Sequence, residues 1–191
     1  ERAREAGEPE WFQVVALIHD IGKIMFLWGD AATGQVGAAA GPQFALGGDT
    51  WVVGARIPDC TVYPDFNALS PDMAHPVYST EAGCYTPGCG MMALKYAFGH
   101  DEYAYMLMLH NKCPIPEEGL AILRLHSCYP WHRGGAYRHF MKPGDEKLLD
   151  AVLRFNVHDL YSKSDRVIDV DAVWPYYQGL IDKFMPGKLE W

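Results

Sequence analysis

Residues 14–29, VVALIHDIGKIMFLWG, place His19, Asp20 and Lys23 in an otherwise apolar run. Trp11, Val14, Val15, Ile18, Ile21, Met25 and Trp28 recur at spacings of three and four, which predicts one buried helix opening at Pro9. Leu17, Ile18, Ile21 and Ile24 leave little polar surface around the His-Asp pair. A carboxylate in such a setting is paired or metal-bound, because the unpaired buried ion costs on the order of several kcal/mol. Neighbouring helical side chains diverge by about 100°, yet an imidazole and a carboxylate can still converge on one ion from two sides. Lys23 follows His19 by four and Asp20 by three, which puts it on the same helical face, beside whatever they bind.

Outward from this stretch the text alternates between loops and helices. ERAREA reads as the end of a helix. Residues 29–54 are rich in Gly, Ala and Thr and read as a long loop, with a short strand or turn near 50–53. Four prolines make 58–76 an irregular connection. The run YSTEAGCYTPGCGMMALKYAFGHDEYAYMLMLHNK predicts two helical pieces broken at 86–88. PEEGLAILRLHSCYP, DEKLLDAVLRFNVHDLYSKS and DAVWPYYQGLIDKFMPG predict further helices. No internal repeat and no alternation of strands with helices is present, so the expected class is all-α, a single domain over 1–191.

Composition narrows the function. A chain of 191 residues with 49% hydrophobic residues is long and apolar enough for one sizeable core. A formal charge of -8 with interspersed signs offers no basic stripe for a phosphate backbone or an anionic bilayer, so neither nucleic acid nor membrane is expected as a partner. The odd set Cys60, Cys84, Cys89, Cys113 and Cys128 contains no C-x-x-C pair, and reduced thiols in the cytoplasm are expected. P-loop, dinucleotide, nucleophile-elbow and H-E-x-x-H signatures are absent.

A lone His-Asp dipeptide is more often a core histidine beside an Asp–Lys pair than a metal site. This one has company in His100 of FGHDEYAYM, His126 of LAILRLHSCYP and Asp159 of LRFNVHDLYSK, each in or after an apolar helical stretch. A helical bundle can turn all of them inward, and mixed N/O ligands suit iron, manganese or zinc. Lys163, four after Asp159, presents a second ammonium group, which points to an oxygen-rich substrate. Its ordinary reading is a surface pair worth a few tenths of a kcal/mol. His75, His110 and His139 read as solvated, and His132 as a packed helix exit or a site residue. Of the dipeptides at 100–101 and 158–159, only one member of each is expected to face inward.

HDIGK with a later GHD and a late Asp resembles the HD-domain superfamily of helical metalloproteins, implying an HD-domain-like bundle. LIHDIGK, GGDTW, YSTEAGCY, GHDEYAY, LRLHSCYPWH, FNVHDLYSK and PYYQGLIDKFMPGKLEW together, and in order, resemble the myo-inositol oxygenase family. That resemblance implies a mixed-valent Fe(II)/Fe(III) pair that uses O2 to cleave the C1–C6 bond of myo-inositol, giving D-glucuronate. It implies His19, Asp20, His100, His126 and Asp159 as iron ligands, with Asp20 bridging. It further implies Lys23 as catalytic and substrate-binding, and Gly48, Asp49, His126, Ser127 and Lys163 as lining the substrate pocket. A cytoplasmic monomer acting on a small polyol is the corresponding expectation.

Two departures qualify it. The loop between Gly29 and Gly48 is longer than the family pattern, and no histidine precedes His19, where the family takes a further ligand from an upstream helix. The chain is therefore expected to lack an N-terminal segment and to carry a weakened or half-filled site. The alternatives are an HD-type phosphohydrolase, with Arg124 and Arg133 as its phosphate-binding candidates, and a non-catalytic metal-binding domain.

Overall fold

The computed structural model describes residues 1–27, 46–47, 49–160, 167–185 and 187–191. Among these the chain is an all-α, HD-domain-like bundle with no strand and a single antiparallel bridge, Val52 to Tyr96. Its helices are α1 (Arg2–Glu5), α2 (Glu10–Ile18), α3 (His100–His110), α4 (Glu117–Leu125), α5 (Tyr129–His132), α6 (Asp145–Asp159) and α7 (Val170–Phe184). None is long and apolar enough to cross a membrane. Residues 29–45 and 48 of the Gly-rich loop lie outside the described residues.

α2 is the central helix. Phe12, Val14 and Val15 are fully buried, and it packs on α1, α4, α6 and α7. Tertiary burial rather than intrinsic propensity stabilises so β-branched a segment. Its one buried polar residue is satisfied: Gln13 donates to the Glu8 carbonyl (2.7 Å) and accepts from the Tyr176 hydroxyl (2.9 Å). α3 packs on α4, and α4 on α6, around Met108, Ile122, Leu123, Val152 and Phe155. Asp169 caps α7, its Oδ1 accepting from the Ala172 N–H at 3.1 Å.

The structure corrects two helix expectations. The opening helix does not run through to residue 28: the α-helix stops at Ile18, and 21–27 continue as a tighter 3-10 segment. The reason is Gly22, where a Cβ would stand 2.0 Å from the His100 carbonyl oxygen. The backbones of the 3-10 segment and of the α3 N-terminus touch there, a contact open only to glycine. Likewise 78–90 are turns rather than helix. Gly83 adopts φ +58° against Gly54 and Ala55, and the Tyr85 hydroxyl donates to the Val53 carbonyl (2.6 Å) while accepting from the Lys95 N–H (3.2 Å). Those ties hold the segment to 51–54.

Candidate metal centre

Four helix ends deliver the polar side chains singled out above. His19 follows the last residue of α2, His100 opens α3, His126 follows α4 and Asp159 closes α6. The interruption after Ile18 lets Asp20 turn its two oxygens in different directions. Oδ2 lies 3.6 Å from His19 Nε2 and 2.6 Å from Lys23 Nζ. Oδ1 lies 3.2 Å from His100 Nε2 and 3.9 Å from His126 Nε2. The two buried imidazoles face each other, Nε2 to Nε2, at 3.2 Å, and Asp159 Oδ1 stands 3.4 Å from His19 Nε2. The cluster therefore has two halves that share Asp20: His100 with His126, and His19 with Asp159.

Hydrogen bonds fix the ring orientations. His19 Nδ1–H donates to the Ala16 carbonyl at 3.0 Å, and His126 Nδ1–H is shared between the Ile122 and Leu123 carbonyls at 3.1 Å each. In both rings Nε2 is left to face the cluster. Burial, reinforced by charge on His19 and His100, pushes His126 down to about 3, so its imidazole is neutral. For Asp20, burial opposes ionisation but is outweighed by hydrogen bonds from His100 and Lys23, which hold the carboxyl well below the usual range. For His19, burial disfavours the imidazolium, but the Asp159 hydrogen bond and the Asp20 charge prevail and raise it. The hydrogen bond from His19 is the main cause that lowers Asp159.

Such a set fits metal ions. Ligand atoms of His19, Asp20 and His126 lie within 4.8 Å of one another. With metal–ligand bonds of about 2.0–2.2 Å, adjacent corners of a coordination shell stand about 3.0–3.6 Å apart. Most of the distances above fall in that band. Three imidazoles with two carboxylates are the donors of first-row transition metals rather than of calcium or magnesium. Burial differs from the sequence expectation: His100 and His126 are buried, but the Asp20 and Lys23 side chains are 41% and 40% exposed. They form the open side of the cluster.

The remaining sequence candidates divide. Ser127 is buried beside His126, and its carbonyl accepts the Thr50 N–H at 2.9 Å. Asp49 turns its Oδ2 to the Val62 N–H at 2.9 Å. Gly48 and Lys163 lie outside the described residues. A mainly apolar groove of about 440 Å³ opens on His19 and Asp159 between α1, α2, α6 and α7, and Lys23, Asp49, His126 and Ser127 are not among its described lining residues. Asp101 turns away from the cluster to accept the Glu102 N–H, and His158 pairs with Glu8 at 3.7 Å. Neither arginine offered for phosphate is placed for it. Arg124 is buried in an ion pair with Glu102, and Arg133 is exposed over the Tyr129 ring.

His132 supports the centre from behind. Burial lowers it to about 4, so the ring is neutral, and its Nε2–H donates to the His126 carbonyl at 3.0 Å, one of the acceptors left open where α4 ends. His132→Phe strands that buried carbonyl, at a cost of about 1–3 kcal/mol. Thermal melting of the metal-free protein is expected to fall by about 3–8 °C, with His132→Gln retaining more than half of the difference. An unchanged melting temperature for His132→Phe would remove the bond from the account.

Comparison with known sequences decides the family. The family model described as Myo-inositol oxygenase matches residues 1–191. The chain belongs to the myo-inositol oxygenase family. It is 44% identical over 189 residues to a protein named inositol oxygenase from Danio rerio, covering 98% of this chain and 64% of that one. The Mus musculus and Homo sapiens proteins of that name are 44% and 42% identical over 185 residues, 96% of this chain and 61% of each. The chain thus spans a little under two thirds of the length of these members of the family.

Proposed function

We propose that the chain is the metal-bearing part of an oxygenase that uses O2 to cleave the C1–C6 bond of myo-inositol, giving D-glucuronate. The observation that carries this reading is Asp20, whose two oxygens face two separate ligand groups while Lys23 holds one of them at 2.6 Å. In this reading His100, His126 and Asp20 would hold one iron, and His19, Asp159 and Asp20 the other. A mixed-valent Fe(II)/Fe(III) pair bound there would supply Lewis acidity towards a polyol hydroxyl and redox chemistry towards O2.

The chain's own residues orient and neutralise. Lys23 lies at the open side with an ammonium that has N–H groups beyond the one given to Asp20, so it can bind a hydroxyl oxygen and favour its alkoxide. His126, kept neutral by burial, retains an unprotonated nitrogen for the metal at physiological pH. Gly48, Asp49, Ser127 and Lys163 complete the substrate pocket in this reading. The engagement of Arg124 with Glu102 favours a neutral polyol over a phosphate ester. Five free thiols support a protein of the reducing cytoplasm, where it would work as a monomer.

The balance is one O2 consumed and one water formed for each glucuronate. The test is oxygen uptake by the Fe(II)-loaded chain on addition of myo-inositol, with glucuronate assayed in the same vessel. Equimolar uptake and product are expected; a chain that holds two irons and consumes no oxygen would overturn the reading. Lys23→Met is expected to lower kcat/KM by about 100-fold or more while the iron content stays at the parent level, because Asp20 keeps its histidine partners. Wild-type turnover in that variant would remove Lys23 from the mechanism.

A further inference from the structure

We propose that the buried Arg124–Glu102 pair is a positioning clamp that sets the gap between the His100 and His126 imidazoles, and through it the affinity of that half of the centre for its metal. This inference rests on the metal-site reading above.

Glu102 lies two residues after His100 in α3, and Arg124 two residues before His126 at the end of α4. The pair therefore joins the same two helix turns that present the imidazoles. Side chains two apart on a helix point roughly 200° apart, so the ion pair and the imidazole pair link α3 to α4 from different sides. The fork is bidentate, Nε to Oε2 at 2.6 Å and Nη2 to Oε1 at 2.9 Å. Nη1 and Nη2 also donate to the Met92 and Leu94 carbonyls at 2.6 and 3.0 Å. The guanidinium lies 5.0 Å from the Tyr96 ring centroid and 4.6 Å from that of Tyr105. With its side chain only 4% exposed, Arg124 is out of reach of a substrate.

A buried ion pair is a poor source of net stability, since desolvation offsets most of its attraction. What a planar bidentate fork does supply is a fixed separation and angle between two backbones. The facing Nε2 atoms, 3.2 Å apart, need such a constraint. One contact between two side-chain tips does not fix the separation of the backbones that carry them, and a shell opened by a few tenths of an ångström binds less tightly.

The test uses Co(II) alone as the probe, followed by its visible absorption and by titration against a competing chelator. The parent chain is expected to bind one equivalent tightly at the His100–His126–Asp20 half and a second more weakly at the His19–Asp159 half. Glu102→Asp, which keeps both charges but shortens the fork by one methylene, is expected to weaken one equivalent about tenfold or more and alter its spectrum. The effect is sized on the losses that supporting residues of metal sites produce. The other equivalent should change less than about threefold by the same yardstick. The double variant Arg124→Met/Glu102→Met, which leaves no charge unpaired, should do the same where it folds. Phe140→Leu, a core change away from the centre, controls for general destabilisation and should leave both affinities as they are. Both affinities unchanged in every folded clamp variant would overturn the proposal. A parent chain that binds no Co(II), or binds it equally after His100→Ala/His126→Ala, would instead overturn the metal-site reading, and the clamp with it.

Discussion

Asp20→Ala is expected to weaken metal binding at both halves of the centre and to lower turnover by more than about 100-fold, beyond the loss that removing a mere supporting residue causes. Asp20 turns a carboxylate oxygen to each half of the centre, with Oδ1 on His100 and His126 and Oδ2 on His19. Its loss leaves His100 and His126 as two imidazoles without an anionic partner, and His19 with Asp159 as a bidentate remnant. Neither fragment competes well for a divalent ion. Lys23 also loses its partner, so its ammonium is no longer anchored at the open side. The fold itself should survive, because the Asp20 side chain is partly exposed and outside the core. Asp20→Asn sharpens the test, since it preserves shape but replaces a bridging anion by a neutral amide. Metal content after gel filtration, read beside oxygen uptake, decides it. Two equivalents retained in either variant would mean that the halves do not share this carboxylate.

The sequence made His19, Asp20, His100, His126 and Asp159 visible for one reason: each is an ionisable group set in or just after apolar text, where the ordinary surface reading fails. The same signal was present for Arg124 inside LAILRLHSCYP. Read as a phosphate ligand candidate, it proved to be an internal tie, because its partner Glu102 is twenty-two residues away and no local spacing announces such a pair. Burial was overstated for Asp20 and Lys23, because the apolar period of residues 14–28 continues across a break that periodicity cannot register. Residues 78–90 misled in a related way. Helix-forming Glu81 and Ala82 fitted a helix, whereas positive-φ glycines at 83, 88 and 90 and the Tyr85 hydroxyl contacts decided the backbone. His132 stayed open because its function is a hydrogen bond to a carbonyl, and any residue type supplies a carbonyl.

Gly22→Ala gives the clearest contest between local propensity and tertiary contact. Within a helical text, glycine to alanine is a favourable change by roughly 1 kcal/mol. The structure predicts the opposite sign. An alanine Cβ would meet the His100 carbonyl oxygen at 2.0 Å, its carbon at 2.7 Å and its Cα at 2.8 Å, all of them backbone atoms that cannot rotate away. Relief requires the 3-10 segment 21–27 to move off the α3 N-terminus. That movement separates Asp20 from His100, because the two lie two residues from the contact and at the contact itself. A destabilisation of about 3 kcal/mol or more is expected, seen as a fall in melting temperature of roughly 6–12 °C. With it should go the metal held by the His100 half, even under conditions where circular dichroism still reports a folded bundle. If the variant melts at or above the parent temperature with both equivalents bound, the close approach is absent in solution, and Gly22 is only a weak point in a helix.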